Sequence, residues 1–246
     1  MSRNRAGRLR PVEWATARYW PTRLKPAQRD WLSDAVNDLW DWFSAIGMVG
    51  PDDARGRRFR HMGAGSGMTF PRGAVFGESA IVIGSSTLFA PQVTLSAGLP
   101  GEALDPAAEP VVQIGSRCSV GRGTAIVGLR SIRIEDDVTI APNVYITDHN
   151  HSYDDPDLPI GRQWPAEAPV RIGAGSWLGT GVVVLPGSDL GRNVTVAAGS
   201  VVRGQVPDHS VVAGSPARVV RSRQADAWSP PLPARTVRVP PGWTGE

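Results

Sequence analysis

From Ile172 to Val202 an aliphatic residue returns at every sixth position: Ile172, Leu178, Val184, Leu190, Val196, Val202. Four residues after each stands a small or β-branched one: Ser176, Val182, Ser188, Val194, Ser200, Val206. Gly173, Gly179, Gly191 and Ala197 directly follow four of the aliphatics, Leu185 and Arg203 the other two. A helix brings its apolar face round every 3.6 residues and a half-buried strand every two. A period of six fits neither and predicts hexapeptide coils of a parallel β-helix. Each unit supplies a short strand and a corner. The aliphatic points into a narrow prism, the small residue lets the corner close, and one coil cannot bury its own interior, so coils must stack.

Looser copies of the unit extend the pattern backwards. They are Ile83-Gly84-x-x-Thr87, Phe89-Ala90-x-x-Val93, Ile114-Gly115-x-x-Cys118, Val120-Gly121-x-x-Thr124, Ile134-Glu135-x-x-Val138 and Ile140-Ala141-x-x-Val144. Two excursions, at 97–110 and 147–169, read as loops extruded from corners; in a solenoid such insertions gather on one face and often carry function. Residues 52–73, rich in Gly and Arg, are expected to be an irregular lead-in. Before them, Pro26 to Gly47 predicts one helix, with proline at its first position and glycine just past its end. Trp31, Ala35, Val36, Leu39, Trp40, Phe43 and Ile46 make its apolar stripe, and Trp14, Trp20 and Trp42 add aromatic density. That helix either caps the open end of the prism or lines a groove for an acyl chain or a membrane surface. The expected organisation is a helical cap segment at 1–60, a mainly β domain at 61–221 and a Pro-rich tail at 222–246, disordered or lying along a neighbour.

Several classes are disfavoured. No run of 18 apolar residues is present, and the basic start lacks the apolar core of a secretory signal. The single cysteine, Cys118, cannot form an internal disulfide, so a reducing cytoplasm is expected. Cys118 falls at an interior repeat position. Lys25 is the only lysine, and the arginines are dispersed rather than massed with aromatics. Scattered guanidiniums suit anionic small molecules better than nucleic acid.

Chemistry concentrates at Asp148-His149-Asn150-His151 in the second excursion. A histidine in an exposed loop beside carboxylates is suited to act as a general base; His149 is the candidate and His151 the reserve. The pair could also begin a metal site, but His61 and His209 give no convincing third ligand, and no metal is expected. No Gly-x-Ser-x-Gly elbow, Walker motif or dinucleotide-binding glycine pattern occurs.

Three motifs in order resemble the hexapeptide-repeat acyltransferases, in the branch of the maltose, galactoside and polysaccharide O-acetyltransferases. They are Ile140-Ala141-Pro142-Asn143-Val144 leading into Thr147-Asp148-His149; Ile172-Gly173 leading into Trp177-Leu178-Gly179-Thr180; and Val212-Ala213-Gly214-Ser215-Pro216-Ala217-Arg218-Val219-Val220-Arg221. The chain also resembles actinobacterial octanoyltransferases that acylate a glucosylglycerate. The resemblance implies a left-handed parallel β-helix, a homotrimer with active sites between subunits, acyl-CoA as co-substrate and a carbohydrate acceptor. It makes His149 the base, Thr180 the group that steadies the oxyanion and Trp177 a wall of the site. Gly179, Ala198, Arg203, Pro216, Arg218 and Arg221 become cofactor contacts, with Arg203 replacing a lysine often found one position later. Asp148, Asn143 and His151 become acceptor contacts. The competing readings are a silent β-helix scaffold and a metal hydratase of the γ-carbonic-anhydrase kind.

Overall fold

The computed structural model describes residues 24–105, 107–224, 227–231 and 239. The chain divides into two units, Met1–Phe43 and Ser44–Glu246. The one α-helix described, α1 (Pro26–Ile46), has the predicted bounds, and Gly47 follows it in a turn. None of its residues is buried. Trp31, Val36, Leu39, Trp40, Phe43 and Ile46 are exposed, while Asp30, Asp34, Asp38 and Asp41 share the opposite side by helical spacing. Trp14 and Trp20 lie outside the described residues.

The second unit is the predicted left-handed parallel β-helix. One coil runs Ile132–Ile134, Thr139–Ile140, Tyr145–Thr147; the next runs Val170–Ile172, Trp177–Leu178, Val183–Val184. Each coil thus lays one strand on each of three faces. Strands stack in parallel register, with Arg171 beside Asp189, Leu178 beside Val196 and Val184 beside Val202. Both hexapeptide series point inward, and all twelve side chains from Ile172 to Val206 named above are buried.

The small interior positions also close the backbone. Ser176 Oγ donates to the carbonyl of Gly191 and accepts the N–H of Val194, at 3.2 and 3.1 Å. Cys118 sits at the equivalent position, its thiol 3.2 Å from the Glu135 carbonyl oxygen, and burial pushes its pKa up. At the first corner of successive coils, Ser86, Arg117, Asp137, Gly175, Asn193 and His209 all have positive φ; Gly175, Asn193 and Asp137 are types that adopt it readily, whereas Arg117 and His209 are held there by the repeat. At Gly173 a Cβ would lie 2.4 Å from the Gly191 oxygen, so the next coil's backbone occupies the space a side chain needs.

Two expectations are corrected. The stretch 52–73 is an irregular lead-in only as far as residue 60: from His61 it contains most of a first coil, with strands His61–Met62 and Gly67–Met68, completed by Val75–Phe76. Met62 and Met68 hold interior positions six residues apart and Ser66 the small one, all buried. Methionine fills the aliphatic slot without looking like the repeat. The start of the tail is also ordered. Ser210–Gly214 turns back into Ala217–Gln224, which pairs antiparallel with Ala227–Ser229 and extends the second face.

Candidate functional site

The main insertions leave the prism at one corner. Residues 98–111, 129–131 and 148–169 each connect a third-face strand to the first-face strand of the next coil. The longest begins at Asp148, immediately after the strand Tyr145–Thr147. Its base is a two-stranded antiparallel ribbon, His149–Asn150 against Ala166–Glu167. Beyond the ribbon the loop is tied internally. Gln163 Nε2 donates to the carbonyls of Asp155 and Leu158 at 2.9 and 3.0 Å, and Ser152 Oγ donates to the Trp164 carbonyl at 2.6 Å.

Asp148 anchors this construction. It was expected to touch the acceptor, but its side chain is 0 % exposed. Oδ2 accepts the backbone N–H groups of Arg130 and Ser131 at 2.7 and 2.6 Å. Oδ1 accepts the N–H of Leu129 at 2.8 Å and lies 3.0 Å from Nδ1 of His149. The short insertion 129–131 therefore presents its N–H groups to one carboxylate, which is filled and has no surface for a substrate. A carboxylate at this position favours the tautomer of His149 with its proton on Nδ1, which turns Nε2 into the acceptor. The imidazole is 22 % exposed, so the chain offers a half-buried base whose second nitrogen is held by a buried acid.

The remaining residues fall into two groups. Arg203 and His151 lie on the histidine's side, lining with Asn150, Tyr153, Asp154 and Glu167 a cleft of about 340 Å³. Gly179, Thr180 and Ala198 form a patch at the corner between the second and third faces. A Cβ on Gly179 would lie 2.6 Å from the Ala198 nitrogen, and the Thr180 carbonyl accepts the Gly199 N–H at 2.9 Å. Trp177, half exposed, lies on the adjoining second face. In that sheet Trp177 pairs with Thr195, Thr195 with Val211, and Val211 with Arg221. Arg218 pairs with Ala213 on the same hairpin, and Pro216 occupies its turn. Nε of Arg221 is buried without a hydrogen-bond partner among the described residues. Asn143 is exposed at a corner of positive φ, which accounts for asparagine there.

The structure thus does not gather the three expected catalytic residues on one chain. Thr180 sits at one edge of the third face and His149 at the other, with a strand's length, on the order of 15 Å, between them. Sequence reasoning missed Glu167 and Trp164. Glu167 is paired with His149 across the ribbon and accepts the Trp164 indole N–H at 3.0 Å. Only the ribbon's register brings them to the histidine. Among the described residues, no three His, Cys, Asp or Glu side chains converge as a metal site would require.

Comparison with known proteins fits this geometry. Residues 169–204 match the bacterial transferase hexapeptide (six repeats) family, and residues 111–148 match the hexapeptide repeat of succinyl-transferase. The two matched segments are the hexapeptide repeats of the β-helix, and together they cover less than half of the chain. It is 41 % identical over 113 residues to a Mycobacterium tuberculosis protein named as a probable acetyltransferase, covering 46 % of this chain and 38 % of that one. It is 34 % identical over 113 residues to the galactoside O-acetyltransferase of Escherichia coli, covering 44 % and 55 %. The match thus spans about half or less of these relatives. In fold it is similar to AntD, an N-acyltransferase from Bacillus cereus solved with dTDP and 3-hydroxybutyryl-CoA, with a TM-score of 0.60 at 18 % identity over 72 % of this chain and 90 % of that one.

Proposed function

We propose that this chain is an acyl-CoA-dependent O-acyltransferase acting on a hydroxyl of a sugar or glycoside. The observation that carries the reading is the Asp148–His149 pair at the mouth of the longest insertion. Nε2 of His149 takes the proton from the acceptor hydroxyl as its oxygen attacks the thioester carbonyl carbon. The new C–O bond forms and the C–S bond breaks. The imidazolium returns its proton to the departing thiolate, leaving an ester and free CoA. No acyl-enzyme is needed, which agrees with the only cysteine lying in the core. The Thr180 hydroxyl or backbone N–H steadies the oxyanion. Trp177 walls the thioester, with Gly179 and Ala198 along the pantetheine arm. Pro216 shapes the hairpin turn that presents Arg218 and Arg221 to the phosphates, and the unpartnered Nε of Arg221 supports that role.

Because Thr180 and His149 stand at opposite edges of a face, the complete site takes its donor side from one subunit and its base from the next. A trimer, the assembly the family resemblance implies, meets that need. A groove of about 440 Å³ on the second face, lined by Met48, Leu88, Phe89 and Pro91 among others, supports an acyl group longer than acetyl. It is continuous in register with Trp177 through Thr139 and Ser119.

The test is thiol release from acyl-CoAs of increasing length, acetyl to decanoyl, with a panel of glycosides. Acceptor-dependent turnover is expected in the wild type. His149→Ala should lose it by about 10²–10⁴-fold while retaining CoA affinity. A fully active variant would remove His149 from the mechanism.

A further inference from the structure

The cleft beside the histidine holds groups that the reaction above does not use. His149 and Glu167 are directly opposed on the ribbon. The Ala168 N–H donates to the Asp148 carbonyl at 2.8 Å, so His149 and Glu167 form the non-hydrogen-bonded kind of antiparallel pair. In such a pair the two side chains leave the same face and stand closest together. Glu167 is half-buried and lines the cleft with His151, Asp154 and Arg203. One of its oxygens receives the Trp164 indole N–H; the other has no hydrogen-bond partner among the described residues. The Trp164 ring is 66 % exposed, although a large aromatic is costly to leave in water. Its indole N–H is held on Glu167, and its backbone carbonyl accepts the Ser152 hydroxyl.

We propose that Trp164 and Glu167 form the acceptor subsite, binding a pyranose so that one hydroxyl reaches Nε2 of His149. An exposed aromatic ring offers an apolar face to the C–H side of a sugar. A carboxylate with one free oxygen accepts a hydroxyl hydrogen. Held on the strand opposite the base, that carboxylate sets which neighbouring hydroxyl is presented. The inference deepens the acyltransferase reading and rests on it for the role of His149, but the binding it asserts is measurable without turnover.

The experiment is saturation-transfer NMR with methyl α-glucoside, methyl α-glucuronide and methyl β-galactoside on wild type, Glu167→Gln, Trp164→Ala and Trp164→Phe, with CoA affinity measured in parallel. Wild type should bind at least one of the glycosides. Glu167→Gln and Trp164→Ala should each weaken binding about tenfold, the scale of one charge-assisted hydrogen bond. Trp164→Phe, which keeps a ring, should recover most of the affinity, and no variant should alter CoA affinity. In turnover, the acceptor KM should rise with kcat within a few-fold and the acyl-CoA KM unmoved. Glycoside binding equal in all four proteins, or absent from the wild type, overturns the subsite. Failure of the wild type to bind CoA instead overturns the acyltransferase reading, whatever the glycosides do.

Discussion

Replacing Asp148 by asparagine tests both the stability and the chemistry of the site. The carboxylate accepts three backbone N–H groups at 2.6–2.8 Å and faces Nδ1 of His149 at 3.0 Å, with no exposed surface. Asparagine keeps one oxygen, which best replaces Oδ2, where the N–H groups of Arg130 and Ser131 converge. Its NH2 then meets the Leu129 N–H, donor against donor, and one buried N–H loses its acceptor. Such a loss costs about 1–3 kcal/mol. At roughly 2–4 °C per kcal/mol in a chain of this size, the melting temperature should fall by about 2–12 °C. The same NH2 faces Nδ1, which must now accept; the ring proton moves to Nε2, and the base is occupied. Turnover should fall by about 10²–10⁴-fold, the usual contribution of general base catalysis. The assay is thiol release with a chromogenic reagent at a temperature below both unfolding transitions, beside circular dichroism melts. A variant that melts earlier yet turns over at the wild-type rate would refute the orienting role and leave Asp148 as a corner staple.

Other consequences are simpler to read. Gly173→Ala forces a Cβ against the Gly191 carbonyl and should destabilise by about 1–3 kcal/mol in a denaturant melt, whereas alanine at Gly161, where the space is open, should leave that melt unchanged. Cys118, with its thiol pKa raised by burial, should resist thiol reagents at pH 8 in the folded protein and react with one equivalent after denaturation. The Asp53 carboxyl is raised by burial, but the N–H groups of Gly56, Gly50 and Arg55 outweigh this and hold it below 3.8. Its stabilisation is therefore present above that value and is lost as pH falls through the depressed pKa, which hydrogen exchange at Gly50 and Gly56 should register as acid-labile protection.

The coils were legible because a solenoid repeats one physical demand, an aliphatic inside and a small residue at the turn. Ile172 to Val202 state it without interruption. Where another residue meets the demand the reading failed, as at Met62 and Met68. The proposed base was legible as a histidine in the longest break of the repeat. Its orienting partner was visible as an adjacent residue but not as a buried one, because its ligands are backbone N–H groups, which carry no sequence signal. Glu167 is 18 residues from His149 in a loop without periodicity, and only the ribbon register opposes the two.

The proposed division of the site between two edges of one face makes a stronger demand on the assembly than on any single residue. If the base of one subunit serves the donor patch of the next, a chain lacking His149 and a chain lacking Trp177 are each inactive alone but complementary together. In a cyclic assembly with random mixing, an interface is restored when its base comes from the Trp177 variant and its donor wall from the His149 variant. Equal mixing therefore restores about one quarter of the interfaces. Coexpressed His149→Ala and Trp177→Ala should recover roughly a quarter of wild-type turnover, and dilution below the assembly's dissociation range should abolish it. Recovery depends on the two defects lying on different chains, so a double variant mixed with itself should stay inactive. If the mixture shows no more activity than its components while assembling normally, each site is completed within one chain. The distance between Thr180 and His149 would then have to be closed by a movement of the insertion.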